Sequence, residues 1–154
     1  MQRKYEYRRK LPHYQPDYKA FFITFSSAKR WILPEPARDI VLEVCVYGNG
    51  KQFRLHGLVV MPDHVHRVLT PLTDDNGPFP ISSIMQALKS TSAHRINKLL
   101  GSAGKVWQDE SFDRALRNEE SIADKVDYIL GNPVGAGLVQ NPLDYRWIWR
   151  EGGS

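Results

Sequence analysis

The sequence predicts an α+β fold built on an antiparallel sheet. The 154 residues suit one domain, and 42% of them are hydrophobic, which is enough for an ordinary core. Short β-branched and aromatic runs alternate with segments of helical spacing, in the order strand, helix, strand, strand, helix, strand, helix. This is the βαββαβ pattern of a ferredoxin-like sheet with one additional helix at the C-terminal end. We expect two helices to cover one face of the sheet, leaving the other face for the last helix and a ligand.

The first elements lie between residues 20 and 71. "AFFITFSS" (20–27) predicts a buried strand, and "PEPARDIVLEVCVYGNG" (34–50) predicts a helix that follows prolines and ends in a Gly-Asn-Gly turn. "FRLHGLVVMP" and "HVHRVLTP" predict two strands joined by a tight Pro-Asp turn. Cys45 is the one cysteine and is interpreted as a small core residue, which excludes an internal disulfide and fits a reducing cytoplasm.

The later elements follow a loop at "TDDNGPFP". "ISSIMQALKSTSAHRINKLLG" predicts an amphipathic helix that stops at Gly101, and "KVWQDESFDRALR" predicts a strand or two short extended pieces. "NEESIADKVDYILGNP" predicts a second long helix whose acidic start suits the helix dipole. The resulting organisation is a basic N-terminal arm at 1–19 and a single domain at 20–150. No stretch approaches the length of a membrane span or resembles a secretory signal, so we expect a cytoplasmic protein without a membrane partner.

The net charge of +4 is concentrated in the first ten residues, where five basic residues face one acidic residue. Two tyrosines are interleaved with these cations. Basic side chains neutralise phosphates and aromatic rings offer faces to unpaired bases, so the arm is a candidate nucleic-acid contact. A solubilising tail is the alternative. The basic residues of the arm are Arg3, Lys4, Arg8, Arg9 and Lys10.

Two histidines stand one residue apart in "MPDHVHRVLT" (61–70). Because side chains alternate along a strand, His64 and His66 point to one face and Val65 to the other. Two imidazoles at this spacing form a ready pair of metal ligands that needs a third ligand from elsewhere. Two partly exposed histidines without a task would fit the motif equally well. Arg67 falls on the predicted core face, so we expect it either to extend to solvent or to contact DNA.

Asp124, Tyr128 and Asn132 are spaced four residues apart and therefore share one helix face. A tyrosine hydroxyl is a weak nucleophile at its ordinary pKa of about 10, but beside a divalent metal it can attack a polarised phosphate. Asn132 could reach the same metal through its amide oxygen. In the alternative interpretation, Tyr128 packs in the core and Asn132 ends the helix before Pro133.

Four segments occur together in one order and spacing: "MPDHVHRVL", "ISSIMQALKS", "VWQDESFDRALRNEES" and "YILGNPVGAGLV". With the opening "RRKLPHYQPDYKAFFITFSS" and the late "NPLDYRW", the chain resembles the IS200-like single-tyrosine transposases of the HUH type, most closely the REP-associated tyrosine transposases. The resemblance extends from about residue 8 to about residue 149. Relatives usually carry an aliphatic residue at the position of Arg67, which leaves the local packing in doubt.

The resemblance implies a site and a reaction. His64 and His66 match the family's His-hydrophobic-His motif and would bind Mg²⁺ or Mn²⁺, Tyr128 matches the nucleophile, and Asn132 matches a polar third ligand, with Asp124 as an acidic alternative. The family cuts single-stranded DNA beside hairpins, leaves a 5′-phosphotyrosine and a free 3′-hydroxyl, and rejoins ends without a nucleotide cofactor. The implied partners are single-stranded DNA hairpins. Relatives include monomers and swapped homodimers, and the spacing between His66 and Tyr128 allows either.

Further DNA contacts are predicted on the polar side of the middle helix, where a solvated helix face is the alternative. Two rival functions are a non-catalytic hairpin-binding module on the same fold and a metal-dependent hydrolase of small phosphoesters. The first predicts aromatic residues on central strands, where this chain has histidines instead. The second needs a water-activating group such as Asp63 or Asp124 and no covalent step. The middle-helix cations are Lys89, Arg95 and Lys98.

Overall fold

The computed structural model describes residues 19–117 and 121–152. Five strands form the main sheet, in the spatial order β6-β1-β3-β2-β7, and all of its strand pairs are antiparallel. A separate two-stranded hairpin lies within the segment that the sequence predicted as a loop. The strands are β1 (Phe21–Ser26), β2 (Phe53–Val60), β3 (His64–Pro71), β4 (Thr73–Asp74), β5 (Gly77–Pro78), β6 (Phe112–Ala115) and β7 (Ile148–Arg150).

The first two helices end or begin at the residue types that the sequence predicted: the first follows Pro34, and the second ends at Gly101 in a left-handed conformation with φ 62°. The third helix corrects an expectation, because it spans only Ile122–Leu130 and Asn132 begins a separate short helix. Asp124, Tyr128 and Asn132 therefore do not lie on one continuous helix. The Ser121 hydroxyl accepts a hydrogen bond from the Asp124 amide at 2.9 Å, which caps the helix that carries Tyr128. The helices are α1 (Glu35–Tyr47), α2 (Ile81–Leu100), α3 (Ile122–Leu130) and α4 (Asn132–Gly135).

The two faces of the sheet are distinguished by strand register. Thr24 pairs with His66, and His66 pairs with Val59 on the other side of β3, so these three side chains project from one face. Arg67 projects from the opposite face and contacts Met85 of α2. We call the face with His64 and His66 the open face and the other the covered face. The α+β fold with its antiparallel ferredoxin-like sheet is thus confirmed.

Helix α3 rests on the open face over β2, and a glycine permits its close approach. A Cβ built on Gly57 would lie 2.6 Å from Cγ1 of Val126, a distance that real side chains do not adopt. The ladder between β2 and β3 also shifts register between Leu55 and Gly57, which places a bulge next to this contact. Gly57 therefore fixes how near the tyrosine helix can sit to the sheet.

Three features beyond the main pattern complete the sheet and the core. Strand β7 pairs with the outer edge of β2, an element that the sequence did not predict. The Tyr145 hydroxyl donates to the Val60 carbonyl at 2.7 Å, and the Trp147 indole donates to Asp39 of α1 at 2.8 Å. Trp107 is buried in the core and meets Phe25 edge-on. No helix among the described residues has the length and apolar character needed to cross a membrane.

Arg67 corrects one expectation, because it neither extends to solvent nor lies on a surface that DNA can reach. Its side chain is fully buried under α1 and α2, with the guanidinium near the rings of Phe25 and Phe53. Nη2 contacts the Met85 sulfur at 3.0 Å, whereas Nε and Nη1 have no hydrogen-bond partner among the described residues. Burial lowers the pKa of Arg67. The central position of β3 explains the error, since helices cover this face along the whole strand.

Candidate metal and tyrosine site

His64 and His66 lie side by side at the start of β3 on the open face. Their ring centroids are 4.8 Å apart, and both side chains are partly buried. The structure therefore confirms the shared orientation that the alternation of β3 predicts. Two imidazoles held this close on a strand can present nitrogens to one ion.

One nitrogen of each histidine is already engaged within the protein. His64 Nδ1 lies 2.7 Å from Oδ1 of Asp63, and His66 Nδ1 lies 2.7 Å from the Thr24 hydroxyl. A carboxylate only accepts hydrogen bonds, so neutral His64 carries its proton on Nδ1 and its lone pair on Nε2. The Thr24 hydroxyl can accept the corresponding proton from His66. This arrangement orients metal-binding histidines in proteins, and it fits a divalent ion held by the two Nε2 atoms.

Asp63 is held in place by a cation from the turn after β1. Arg30 Nε donates to Oδ2 of Asp63 at 2.9 Å. Partial burial opposes ionisation of this carboxyl, but the hydrogen bonds from Arg30 and His64 outweigh it and keep the pKa of Asp63 below its usual value. Asp63 is thus an anionic partner that orients His64, whereas the sequence suggested it only as a possible water-activating group.

His66 is neutral in this environment. Burial of the ring lowers its pKa to about 4, and the nearby His64 and Lys125 charges add to the effect. A histidine must be unprotonated to bind a metal ion, so this shift keeps the ligand available at neutral pH.

Tyr128 is exposed on α3, with 64% of its surface accessible, which argues against the alternative in which it packs in the core. A series of contacts connects its ring to the histidines. Lys125 Nζ lies 4.6 Å from the centroid of the Tyr128 ring and 4.5 Å from that of Phe22. Phe22 in turn stacks on His66 with centroids 5.6 Å apart. The tyrosine and the histidines of one chain therefore border the same part of the open face.

The third ligand stays a prediction. Asn132 is the first residue of α4, one turn beyond Tyr128, and is partly buried. Within residues 19–117 and 121–152, no three His, Cys, Asp or Glu side chains are arranged to hold a metal ion. Asp124 therefore does not complete such a group with His64 and His66 among the described residues, and Asn132 stays a predicted ligand.

The predicted DNA-binding cations of the middle helix lie in a different layer from the histidines. Lys89 Nζ donates to the carbonyls of Gln108 and Asp109 at 2.9 and 3.3 Å, and burial lowers its pKa. Arg95 Nη2 donates to Glu43 of α1 at 2.7 Å, and Lys98 is exposed near the end of α2. Their DNA contacts stay a prediction, and the sheet separates them from the histidines.

The basic residues of the N-terminal arm fall outside the described residues, so their predicted contacts are neither supported nor opposed. Sequence reasoning also missed several residues that surround the histidines. Their roles depend on strand pairing and helix placement across long separations, and the sequence carries no local motif for them. The residues missed are Thr24, Phe22, Arg30 and Lys125, and Asp63 was missed in its role as a partner of His64.

Comparison with known proteins matches residues 13–129 to the model of the family described as "Transposase IS200 like". The chain belongs to the IS200-like transposase family. Tyr128 and both histidines lie inside the matched range, so the family assignment covers the whole candidate site except Asn132.

Two relatives described as REP-associated tyrosine transposases match part of this sequence. A REP-associated tyrosine transposase of Escherichia coli (strain K12) is 30% identical over 98 residues, covering 63% of this chain and 54% of that protein. A putative REP-associated tyrosine transposase of Haemophilus influenzae is 26% identical over 101 residues, covering 62% of this chain and 57% of that protein. The chain thus matches about half the length of these relatives.

One solved structure agrees with this chain over most of its length. It is described as a REP-associated tyrosine transposase bound to a REP hairpin, and it superposes with a TM-score of 0.66 at 25% sequence identity. The alignment covers 94% of this chain and 82% of the other. The fold is therefore shared well beyond the histidine motif.

Proposed function

We propose that this chain is a single-stranded DNA transposase that cleaves and rejoins DNA beside hairpins through a 5′-phosphotyrosine intermediate. The observation that carries the proposal is the histidine pair with both Nδ1 atoms engaged, next to an exposed tyrosine on the same face. A tyrosine that only stabilised the fold would be buried. A histidine pair that binds no ligand would not need a carboxylate and a hydroxyl to orient both rings.

The residues that would hold Mg²⁺ or Mn²⁺ are His64 and His66, with Asn132 supplying an amide oxygen. When bound, the ion supplies Lewis-acid polarisation of a phosphate oxygen. Two neutral imidazoles leave most of the ionic charge uncancelled, which suits a phosphodiester ligand. Imidazole is an unusual partner for these hard cations, and an added oxygen ligand moves the set toward their preference.

Cleavage is a phosphoryl transfer from the 3′-oxygen of the DNA to the Tyr128 oxygen. The Tyr128 oxygen attacks the phosphorus, the bond from phosphorus to the 3′-oxygen breaks, and the tyrosine proton is lost as the 3′-hydroxyl gains one. Lys125 lies against the Tyr128 ring, where its ammonium group can pair with a phosphate oxygen. Rejoining is the reverse reaction, in which a 3′-hydroxyl attacks the phosphotyrosine and releases Tyr128.

Hairpin DNA is the proposed substrate because the structural relative is described as bound to a REP hairpin. The basic arm would add sequence-independent phosphate contacts to this recognition. The contacts from Tyr128 to His66 run within one chain, which favours a complete site in one subunit, whether the protein is a monomer or a homodimer. A cytoplasmic location is part of the same proposal, since a DNA substrate would be met there.

The test uses labelled single-stranded hairpins from the DNA that flanks the gene, incubated with the protein and Mn²⁺ or Mg²⁺. We expect a metal-dependent protein–DNA adduct that survives denaturation and disappears in Tyr128→Phe and His64→Ala. Matched controls are Tyr47→Phe and His94→Ala, which alter an exposed tyrosine of α1 and an exposed histidine of α2 and should leave the adduct unchanged.

Other outcomes separate the rival functions. Tight hairpin binding without adduct or cleavage across several flanking sequences would favour the non-catalytic binding module. Metal-dependent cleavage of small phosphoesters that persists in Tyr128→Phe would favour a hydrolase without a covalent step. Mixing Tyr128→Phe with His64→Ala tests the single-subunit site, because activity would reappear only if the tyrosine of one chain served the histidines of another.

A further inference from the structure

The edge strand β6 carries an exposed aromatic residue on the open face, Phe112. Phe112 is 55% exposed, whereas most large apolar side chains on the central strands are buried. Its ring meets Phe22 edge-on, with centroids 6.2 Å apart, and projects from the open face. The exposed ring is accessible to a partner, and a partner that covered it would gain apolar burial.

Strand register places Phe112 in the same row as the histidine site. Phe112 pairs with Thr24, and Thr24 pairs with His66. Directly paired residues of antiparallel strands project from the same side, and neighbouring strands lie about 4.8 Å apart. Phe112 is therefore about 10 Å from His66 along this row, across two strand spacings. This is roughly the span from a phosphate at the histidines to the base of an adjacent nucleotide.

The surroundings of Phe112 suit an unpaired nucleotide. Phe22 stands between Phe112 and His66, stacking on the imidazole and meeting the Phe112 ring. Lys125 Nζ lies over the Phe22 ring at 4.5 Å from its centroid and over the Tyr128 ring at 4.6 Å. Aromatic faces beside a cation are the common elements of single-strand binding surfaces, because every base has a face that can stack.

We propose that Phe112, supported by Phe22, is the stacking platform for the unpaired base next to the phosphate that Tyr128 attacks. This inference rests on the proposed function and extends it by naming a residue that positions the strand. Stacking tolerates any base, so Phe112 fixes the position of the strand without selecting its sequence. The platform lies on the β6 side of the histidines. The single strand on one side of the cleavage point would therefore run over β1 toward the edge strand β6.

The test measures strand binding separately from cleavage by using the Tyr128→Phe background. Single-stranded oligonucleotides carry the fluorescent base 2-aminopurine at one position at a time, and binding is followed by anisotropy and by fluorescence intensity. We expect intensity to change at one position adjacent to the cleavage point. Adding Phe112→Leu, which keeps an apolar side chain but removes the ring, should abolish this change and weaken binding about 5-fold to 100-fold.

Two further variants make the result specific to an aromatic ring at this site. Phe112→Trp should retain binding and strengthen the fluorescence change. Tyr47→Leu removes an exposed ring from α1 and should have no effect. Thermal unfolding of each variant checks that the overall fold is retained. The proposal is overturned if Phe112→Leu folds and binds like its parent, or if the parent binds no single-stranded DNA.

The outcome also separates this proposal from the proposed function. Position-specific stacking at Phe112, with no adduct formed by the protein that retains Tyr128, would reject the reaction and keep the platform. Adduct formation at normal rates in Phe112→Leu, with unchanged binding, would reject the platform and keep the reaction.

Discussion

His66 and Arg67 are neighbours in the sequence, yet they lie on opposite faces of β3. The His66 side chain is partly buried on the open face, and the Arg67 side chain is fully buried on the covered face. On the open face, His66 shares one nitrogen with Thr24 and keeps the other available. On the covered face, Arg67 is buried with two nitrogens that lack hydrogen-bond partners among the described residues. Both are polar groups on a central strand. Only the first is arranged so that its environment orients it toward a ligand, and this arrangement indicates a site more strongly than polarity alone.

The largest effect on stability is expected on the covered face. Arg67→Met keeps an unbranched side chain and its apolar contacts but removes a buried charge that is poorly compensated. We expect the free energy of unfolding to rise by about 1–4 kcal/mol. Urea denaturation measures it, and unchanged metal affinity is the companion result. A large loss of stability would show that the contacts of the guanidinium with Met85, Phe25 and Phe53 outweigh its desolvation.

A smaller effect, on metal affinity, is expected on the open face. Thr24→Val keeps the shape of the side chain but removes the hydroxyl that orients His66. Loss of such an outer partner typically weakens metal binding about 10-fold to 100-fold. Calorimetric titration with Mn²⁺ checks this, and Thr91→Val on the surface of α2 is the matched control. Equal affinities in the two variants would mean that His66 needs no orienting partner.

The contact between the tyrosine helix and the open face can be tested through Gly57. A Cβ at this position would collide with Val126, so Gly57→Ala should displace α3 and cost about 1–3 kcal/mol of stability. It should also reduce adduct formation, because Tyr128 moves with the helix. Adding Val126→Ala makes room for the new methyl group and should restore adduct formation, even though the double variant loses apolar contact. If it does not, the position of α3 is not set by Gly57.

The smallest expected effect is a pH dependence of the metal-free protein. The pKa of His66 is about 4 in the folded chain, below the ordinary histidine value of 6.5. Between these values the unfolded chain binds more protons, so stability rises with pH through this window and is lost as pH falls toward 4. The contribution is on the order of 1–2 kcal/mol, allowing for partial exposure of the ring. Histidine-selective NMR titration reports the pKa, and a His66 value near 6.5 contradicts the prediction.

The histidine motif illustrates how much the sequence could predict. Alternation along a strand is a local rule, so the common direction of His64 and His66 followed from their spacing. Their partners differ in this respect. Thr24 meets His66 only because β1 pairs with β3 in one register, across 42 residues of sequence. Asp63 adjoins His64 in sequence, but its role as the carboxylate that orients His64 also depends on Arg30, which binds its other oxygen from 33 residues away.

Other features could not be predicted from the sequence, also for physical reasons. Arg67 occupies a position that alternation correctly assigns to the core face, but a lone arginine in an apolar strand gives no sign of whether it can escape to solvent. Strand β7 has three residues, too few to show a periodic pattern, and is held by pairing with β2. The placement of Phe112 beside the site likewise depends on which strand β6 joins.

Strand β7 also has a consequence for where this fold can be divided. The family match ends at residue 129, but the side chains of Tyr145 and Trp147 and the pairing of β7 secure β2 and α1 from beyond that point. A chain shortened to the matched range would keep Tyr128 and both histidines while uncovering the hydrogen-bonding edge of an apolar strand. Uncovered edges recruit strands from other molecules. Such a fragment would hold the chemical groups of the site, yet we expect it to aggregate because the residues that protect the edge of β2 would be missing.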